Sequence, residues 1–177
     1  MTCTAIVLMM SLTAAAALIG TEPATRSPTL AAELNGLLSI ADLDAIAAVD
    51  PDHPDRFIAA LLVPRVQLLV VDAKAATPAV ASQRIAAKQF RDVYSELQRT
   101  ESSAGRLFVY DLDANGLTSE GGDVVYESGA VQTIFNGHPA AQQLNDATYR
   151  QRLHDADQRY SRMLSVLINA LKQSPSL

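Results

Sequence analysis

The chain has 177 residues, 49% of them hydrophobic and 19% charged, which is the composition of a globular protein rather than a disordered one. Its 14 basic and 19 acidic residues give a formal net charge of −5, which argues against a general nucleic-acid binder. Cys3 is the only cysteine, so an intramolecular disulfide and a zinc cluster of thiolates are both excluded.

The N-terminal segment predicts export. No charged side chain occurs before Glu22, and an apolar run from Ala5 leads into four consecutive alanines. Ala15 and Ala17 have the spacing of small residues that a signal peptidase requires. The run opens without lysine or arginine and is long enough to span a bilayer, so an uncleaved anchor and a cytosolic chain with an apolar start are the alternatives.

These features predict three segments. We expect a signal peptide over residues 1–20, with a membrane anchor over residues 1–21 as the alternative, and a linker over residues 21–29. Residues 30–177 are expected to form a single α+β domain, because about 150 residues is the size of one domain. The expected location is periplasmic or secreted.

The first part of the domain predicts two helical pieces and two strands. Leucines from Leu30 to Leu38 recur at helical spacing, and Ser39 followed by Asp42 resembles a capping box that restarts a helix as far as Asp50. The segment 56–63 could be a strand or a helix, because the residues just before it, Asp52 to Asp55, resemble a helix start. We favour a hairpin of two strands at 56–63 and 66–71, and the second strand is apolar enough to be covered on both faces.

The rest of the domain predicts a helix, three strands and a final helix. Apolar spacing indicates a helix over 78–98. Strands are expected at 106–112, 123–128 and 131–135, the last two joined by a turn at Gly129-Ala130. Asn145 or Asp146 begins a long amphipathic helix that runs to about Lys172. One stripe of this helix carries the strongest periodic signal in the chain: Leu153, Ala156, Tyr160, Met163, Leu167 and Leu171.

The predicted fold class is therefore α+β: an antiparallel sheet of about five strands packed by helices, in the order α-β-β-α-β-β-β-α. If its stripe were only partly covered, the last helix would also support a homodimer.

One segment resembles the first half of a calcium-binding loop. Asp111, Asp113, Asn115 and Gly116 fit the pattern D-x-D-x-N-G, which places oxygen ligands at alternate positions before a sharp turn. The twelfth position, where calcium loops carry a bidentate glutamate, is Gly122. We therefore expect an Asx-rich turn, with a calcium site formed by Asp111, Asp113 and Asn115 as the alternative.

No motif in the sequence predicts catalysis. His53, His138 and His154 lack the spacing of zinc ligands, and we expect them to lie in loops or on the surface. The glycine-rich phosphate loops are absent, as is the G-x-S-x-G pattern. The arginines of the last helix are expected to form a solvated face with ion pairs.

The sequence does not identify a ligand or partner. An exported, non-catalytic binding or structural module is the expected function. A small-ligand or flavin-binding protein or enzyme that uses a sheet cleft, and a calcium-stabilised module, are the alternatives.

Overall fold

The computed structural model describes residues 26–63, 66–74, 84–86, 107–118, 122–127, 130–134 and 146–173.

The first helix and the first strand are joined by only two residues, Ala41 and Asp42. Helix α1 spans Ser27–Ile40, with Pro28 in its first turn, where the missing N–H of proline costs no hydrogen bond. The last three residues of the predicted linker therefore belong to α1. Asp42, with a φ of 52°, separates the helix from the first strand.

In the part of the chain that the structure describes, seven strands and a second helix follow α1. The strands are β1 (Leu43–Asp50), β2 (His53–Val63), β3 (Val66–Lys74), β4 (Arg84–Ala86), β5 (Leu107–Asp111), β6 (Val124–Glu127) and β7 (Ala130–Ile134). They form one sheet in the order β4-β1-β2-β3-β5-β6-β7, and every neighbouring pair is antiparallel. Helix α2 spans Asp146–Lys172.

The predicted fold class is confirmed: the protein is α+β, with an antiparallel sheet packed by helices and a long C-terminal helix. All five predicted strands are present, as β2, β3, β5, β6 and β7. In the β6–β7 hairpin, Ala130 pairs with Glu127, so this residue lies in the strand and not in the turn where we expected it.

The helix predicted to restart at Ser39 and run to Asp50 is wrong, because α1 ends at Ile40 and residues from Leu43 on form strand β1. Leu43, Ile46 and Val49 have a spacing of three that also fits a helix. The alanines between them are buried too, and β1 pairs with β2 from Ala45 to Asp50. Burial on both faces suits a central strand, and pairing with distant residues overrides the local spacing.

The predicted helix over 78–98 is wrong at residues 84–86, which form β4 beside β1. The remainder of that prediction lies outside the described residues, as do residues 1–25 and the predicted leader.

Apolar side chains form one cluster on each face of the sheet. The helix-side core lies between the sheet and the two helices and includes Leu34, Ile58, Val70, Tyr160 and Leu167. The far-side core lies on the opposite face and is made of Ala45, Ala47, Phe57, Ala59, Leu61, Leu69, Val71 and Ala73. The two faces of β3 alternate between the clusters, which confirms the prediction that this strand is covered on both sides.

Helix α2 buries the predicted stripe completely. Leu153, Ala156, Tyr160, Met163, Leu167 and Leu171 are each at most 2% exposed. In the part of the chain that the structure describes, neither helix is long and apolar enough to cross a membrane.

Candidate functional site

The predicted calcium-like loop follows β5 and is organised by the buried side chain of Asp111. Its Oδ1 accepts a hydrogen bond from the backbone N–H of Asn115 at 3.1 Å, and its Oδ2 accepts one from Gly116 at 2.8 Å. The hydroxyl of Tyr160 donates to the same Oδ2 at 3.0 Å, which joins the loop to α2. These bonds fold residues 111–116 into a tight loop around the Asp111 side chain.

Gly116 brings this loop against the first turn of α1. Its φ is +85°, in the left-handed region that glycine adopts without strain. A Cβ atom at this position would lie 2.3 Å from the backbone nitrogen of Pro28, so a side chain cannot be accommodated without displacing the helix.

A third carboxylate, which the sequence did not predict, completes the group. Asp123 directly precedes β6 and is fully buried; it accepts hydrogen bonds from the N–H of Leu112 at 3.1 Å and of Thr118 at 3.4 Å. Carboxylate oxygens of Asp111, Asp113 and Asp123 all lie within 4.8 Å of one another. We call these three residues the carboxylate cluster.

The predicted ligand set is brought together only in part. Asp111 and Asp113 belong to the carboxylate cluster, whereas the Asn115 side chain donates to Asp113 at 2.6 Å and is exposed. Asp123 was missed because it lies one residue beyond the twelfth position. The alternation of a strand could have found it, since Asp123 and Val125 share one face of β6, and Val125 belongs to the helix-side core.

Burial shifts the pKa values of two of these carboxyls, Asp111 and Asp123. Burial raises the pKa of Asp123 to about 7, and the charges of Asp111 and Asp113 add to this effect. Burial also raises the pKa of Asp111, although the bonds from Gly116, Tyr160 and Asn115 oppose the shift. Both carboxyls therefore bind protons more strongly than an ordinary aspartate. Carboxylate oxygens are also what a calcium ion binds, and Asp111, Asp113 and Asp123 are the residues that could hold one.

Another buried carboxylate, Asp50, lies at the β1–β2 turn, at the opposite end of the strands from Asp111. Arg162 of α2 pairs with Asp50, which is fully buried, and with Asp52, whose Oδ2 lies 2.6 Å from Nη2. Burial alone would raise the pKa of Asp50, but hydrogen bonds from Arg162, the Asp52 N–H and His53 outweigh it and lower the pKa. Asp50 is therefore held in its charged form.

A fourth buried aspartate, Asp157 of α2, binds the N-terminus of α1. Its Oδ1 accepts from the N–H of Ser27 at 2.9 Å and its Oδ2 from the N–H of Arg26 at 2.9 Å. The Ser27 hydroxyl in turn accepts a hydrogen bond from the N–H of Leu117 at 2.8 Å. We call this group of three hydrogen bonds the clasp, because it ties α1 to α2 and to the loop after β5.

The described histidines lie on the surface, as predicted. His53 is 61% exposed and its Nδ1 lies 3.3 Å from Asp50, while the exposed His154 shares a hydrogen bond with Gln158 on the same helix. His138 lies outside the described residues. Within the described ranges, no serine is hydrogen-bonded to a histidine. No protein-family model matches the chain, and neither a curated protein nor a solved structure does so.

Proposed function

We propose that this protein is an exported, non-catalytic binding or structural module. One observation carries the proposal: the buried polar side chains hold the fold together. The described part of the chain has six of them: Ser27, Asp50, Asp111, Asp123, Asp157 and Ser161. Five of the six are hydrogen-bonded to another segment of the domain, and Ser161 is the exception.

This use of polar groups favours a structural role over chemistry. A catalytic or ligand-binding cleft needs polar groups that converge on a space where a ligand can lie. Here the carboxylates of Asp50, Asp111 and Asp157 instead accept hydrogen bonds from an arginine, a tyrosine and the backbone. The bonds of Arg162, Tyr160 and Asp157 join α2 to distant elements, which stabilises the arrangement of helices on the sheet.

The proposed location outside the cytoplasm rests on the uncharged apolar run before Glu22. The full chain should be expressed in a bacterium from its own start and recovered from the periplasmic fraction for intact mass measurement. We expect a mature chain that begins between Ala17 and Thr21. A Leu8→Arg variant, which places a charge in the apolar run, is the matched control and should stay unprocessed.

The same sample distinguishes the alternatives. Full-length chain in the membrane would replace the signal peptide with an anchor, and full-length chain in the cytosol would contradict export. Visible absorbance, or a bound mass released on denaturation, would favour the small-ligand or flavin-binding alternative over a structural module. Stabilisation by calcium would favour the calcium-stabilised alternative.

The partner that the sequence suggests is a second copy bound through α2. All six residues of its apolar stripe are buried within one chain, so such a homodimer would have to use the polar side of the helix. Light scattering of the purified mature chain measures this directly. We expect the mass of a monomer.

A further inference from the structure

The far-side core is closed off from solvent, although neither described helix lies on that face. All the buried apolar residues of α1 and α2 belong to the helix-side core, on the opposite face of the sheet. Even so, Phe57, Ala59 and Leu61 of β2 are 0% exposed, and every other member of the far-side core is at most 5% exposed. This burial is reached within one chain, so a second copy does not supply it. Residues of the same chain outside the described ranges therefore cover this face.

The covered area is limited to three strands. All members of the far-side core belong to β1, β2 or β3. On the next two strands, the side chains of the same face are only partly buried: Phe108 and Tyr110 of β5 and Val124 of β6. The covering segment therefore lies over β1, β2 and β3 and ends near β5.

The connection from β4 to β5 has to cross these same three strands. β4 lies at the sheet edge beside β1, and β5 lies beyond β3, so four strand spacings, roughly 19 Å, separate them. The two strands are parallel, because the four neighbouring pairs from β4 to β5 are all antiparallel.

The two ends of this connection lie at opposite ends of the strands. Ala86, the last residue of β4, pairs with Leu43 at the start of β1. Leu107, the first residue of β5, pairs with Asp72 near the end of β3. The 20 residues 87–106 must therefore cross one face of the sheet, as connections between parallel strands do. The helix-side face is occupied over β1, β2 and β3 by α1 and α2, which leaves the far face.

The sequence of this connection suits an apolar face. The part of the predicted helix that follows β4, residues 87–98, has its large apolar residues at helical spacing, on one side: Phe90, Val93, Tyr94 and Leu97. A helix of this length is about 18 Å long, which matches the width to be crossed.

The far-side core offers room for such side chains. Four of its eight members are alanines, and they lie on all three of the strands to be crossed: Ala45, Ala47, Ala59 and Ala73. Because protein interiors are close-packed, small side chains on a buried sheet face require large side chains from the layer that covers it.

We propose that residues 87–98 form a helix that lies on the far-side core, with Phe90, Val93, Tyr94 and Leu97 facing β1, β2 and β3. The domain then has three layers: α1 and α2 on one face of the sheet, and this segment on the other. The far face is used inside the chain, so a ligand or partner would have to displace residues 87–98 to reach it. This inference does not depend on the proposed function.

Thiol labelling of the full chain tests this placement. In a chain whose natural thiol is removed by Cys3→Ser, Ala59→Cys places a thiol in the far-side core and Ala60→Cys places one in the helix-side core. Both positions are 0% exposed. Val93→Asp puts a charge on the apolar side of the proposed helix and should speed labelling of Ala59→Cys by more than about tenfold. Labelling of Ala60→Cys should not change.

Ser95→Asp is the matched control for Val93→Asp. It introduces the same charge two residues away, on the other side of the proposed helix. Neither thiol should then be labelled faster than in the chain without the added charge.

A second measurement decides the matter if Val93→Asp does not fold. The chain has no tryptophan, so Tyr94→Trp introduces a single fluorophore into the proposed helix. A thiol in contact with an indole quenches its fluorescence. Ala59→Cys should therefore lower the emission of Tyr94→Trp in the folded chain, and Ala60→Cys, on the opposite face of β2, should not.

Three results would overturn the proposal. In a folded chain, Val93→Asp could leave the thiol of Ala59→Cys as protected as before. Ser95→Asp could speed its labelling as much as Val93→Asp does. The thiols of Ala59→Cys and Ala60→Cys could have equal effects on the emission of Tyr94→Trp.

Discussion

Helix α2 touches two buried carboxylate sites that differ in one respect. Asp50 at the β1–β2 turn faces Arg162, and its pKa is lowered; Asp111 and Asp123 at the β5–β6 connection bind only N–H groups and a tyrosine hydroxyl, and their pKa values are raised. All three side chains are fully buried. The comparison shows that burial does not by itself determine the charge of an aspartate, because a cationic partner reverses its effect.

The two sites also stabilise the fold in different pH ranges. The Asp50–Arg162 pair is present at any pH above the usual range of a carboxyl and is lost only in acid. Asp111 and Asp123 hold protons at pH values where the unfolded chain releases them, so their contribution to stability is greatest in acid and falls toward neutral pH.

The largest effect on stability is expected from neither carboxylate site but from the apolar packing of α2, on which both sites depend. Leu167→Ala removes a fully buried side chain from the helix-side core and should lower the free energy of unfolding by about 2–5 kcal/mol. Because no charge changes, the loss should be the same at about pH 5 and pH 8. Urea unfolding at both values measures it. A loss that depended on pH would show that the packing of α2 and the protonation of the cluster are coupled.

The next largest effect comes from removing the Arg162 cation, which is what distinguishes the Asp50 site from the other. Arg162→Ala leaves Asp50 buried without its partner, which should cost about 2–4 kcal/mol at neutral pH. This is below the range for a fully buried pair, because the Arg162 side chain is 35% exposed. The loss should shrink in acid, where Asp50 becomes protonated.

Arg159→Ala is the matched control for Arg162, since Arg159 is an exposed arginine on the same helix. It should change the free energy of unfolding by no more than about 0.5 kcal/mol. Equal losses in the two variants would contradict the role given to the Asp50 pair.

The pH dependence of the free energy of unfolding tests the raised pKa of Asp123 directly. Because the pKa of Asp123 is raised from 3.8 to about 7 in the folded chain, the folded state binds more protons than the unfolded state between these values. The free energy of unfolding should therefore fall by about 2–3 kcal/mol between about pH 5 and pH 8 in the presence of a chelator. Asp123→Asn should remove most of this slope, whereas Asp113→Asn, at the exposed acid, should retain it. Stability that rises over this range would contradict the raised pKa.

The smallest expected effect concerns calcium, the other way to neutralise the carboxylate cluster. All four oxygens of Asp111 and Asp123 already accept hydrogen bonds from the domain, so we expect millimolar calcium at about pH 8 to leave the Tm unchanged. A site occupied at about 100 times its Kd would add about 2.7 kcal/mol. A Tm that rises by several degrees, and no longer does so in Asp113→Ala, would establish the calcium site instead.

Local pattern was sufficient for the elements whose burial is periodic. The stripe of α2 and the five predicted strands follow from patterns within a single element, and the structure contains all of them. Leu43, Ile46 and Val49 show where this reasoning fails. A strand buried on both faces is apolar at most positions, so its sequence also contains the spacing of a helix.

The sequence by itself determined the fold class, the helix that packs on the sheet and the residues of the turn, because side-chain periodicity and turn chemistry act over a few residues. Only the tertiary structure decided which polar groups meet. Asp50 and Arg162 are 112 residues apart, and Ser27 and Asp157 are 130 apart. No local sequence pattern can pair residues that far apart along the chain. These contacts form because of the order of strands in the sheet and the way the helices pack across it. The charge of each buried aspartate is set by the partner it meets there.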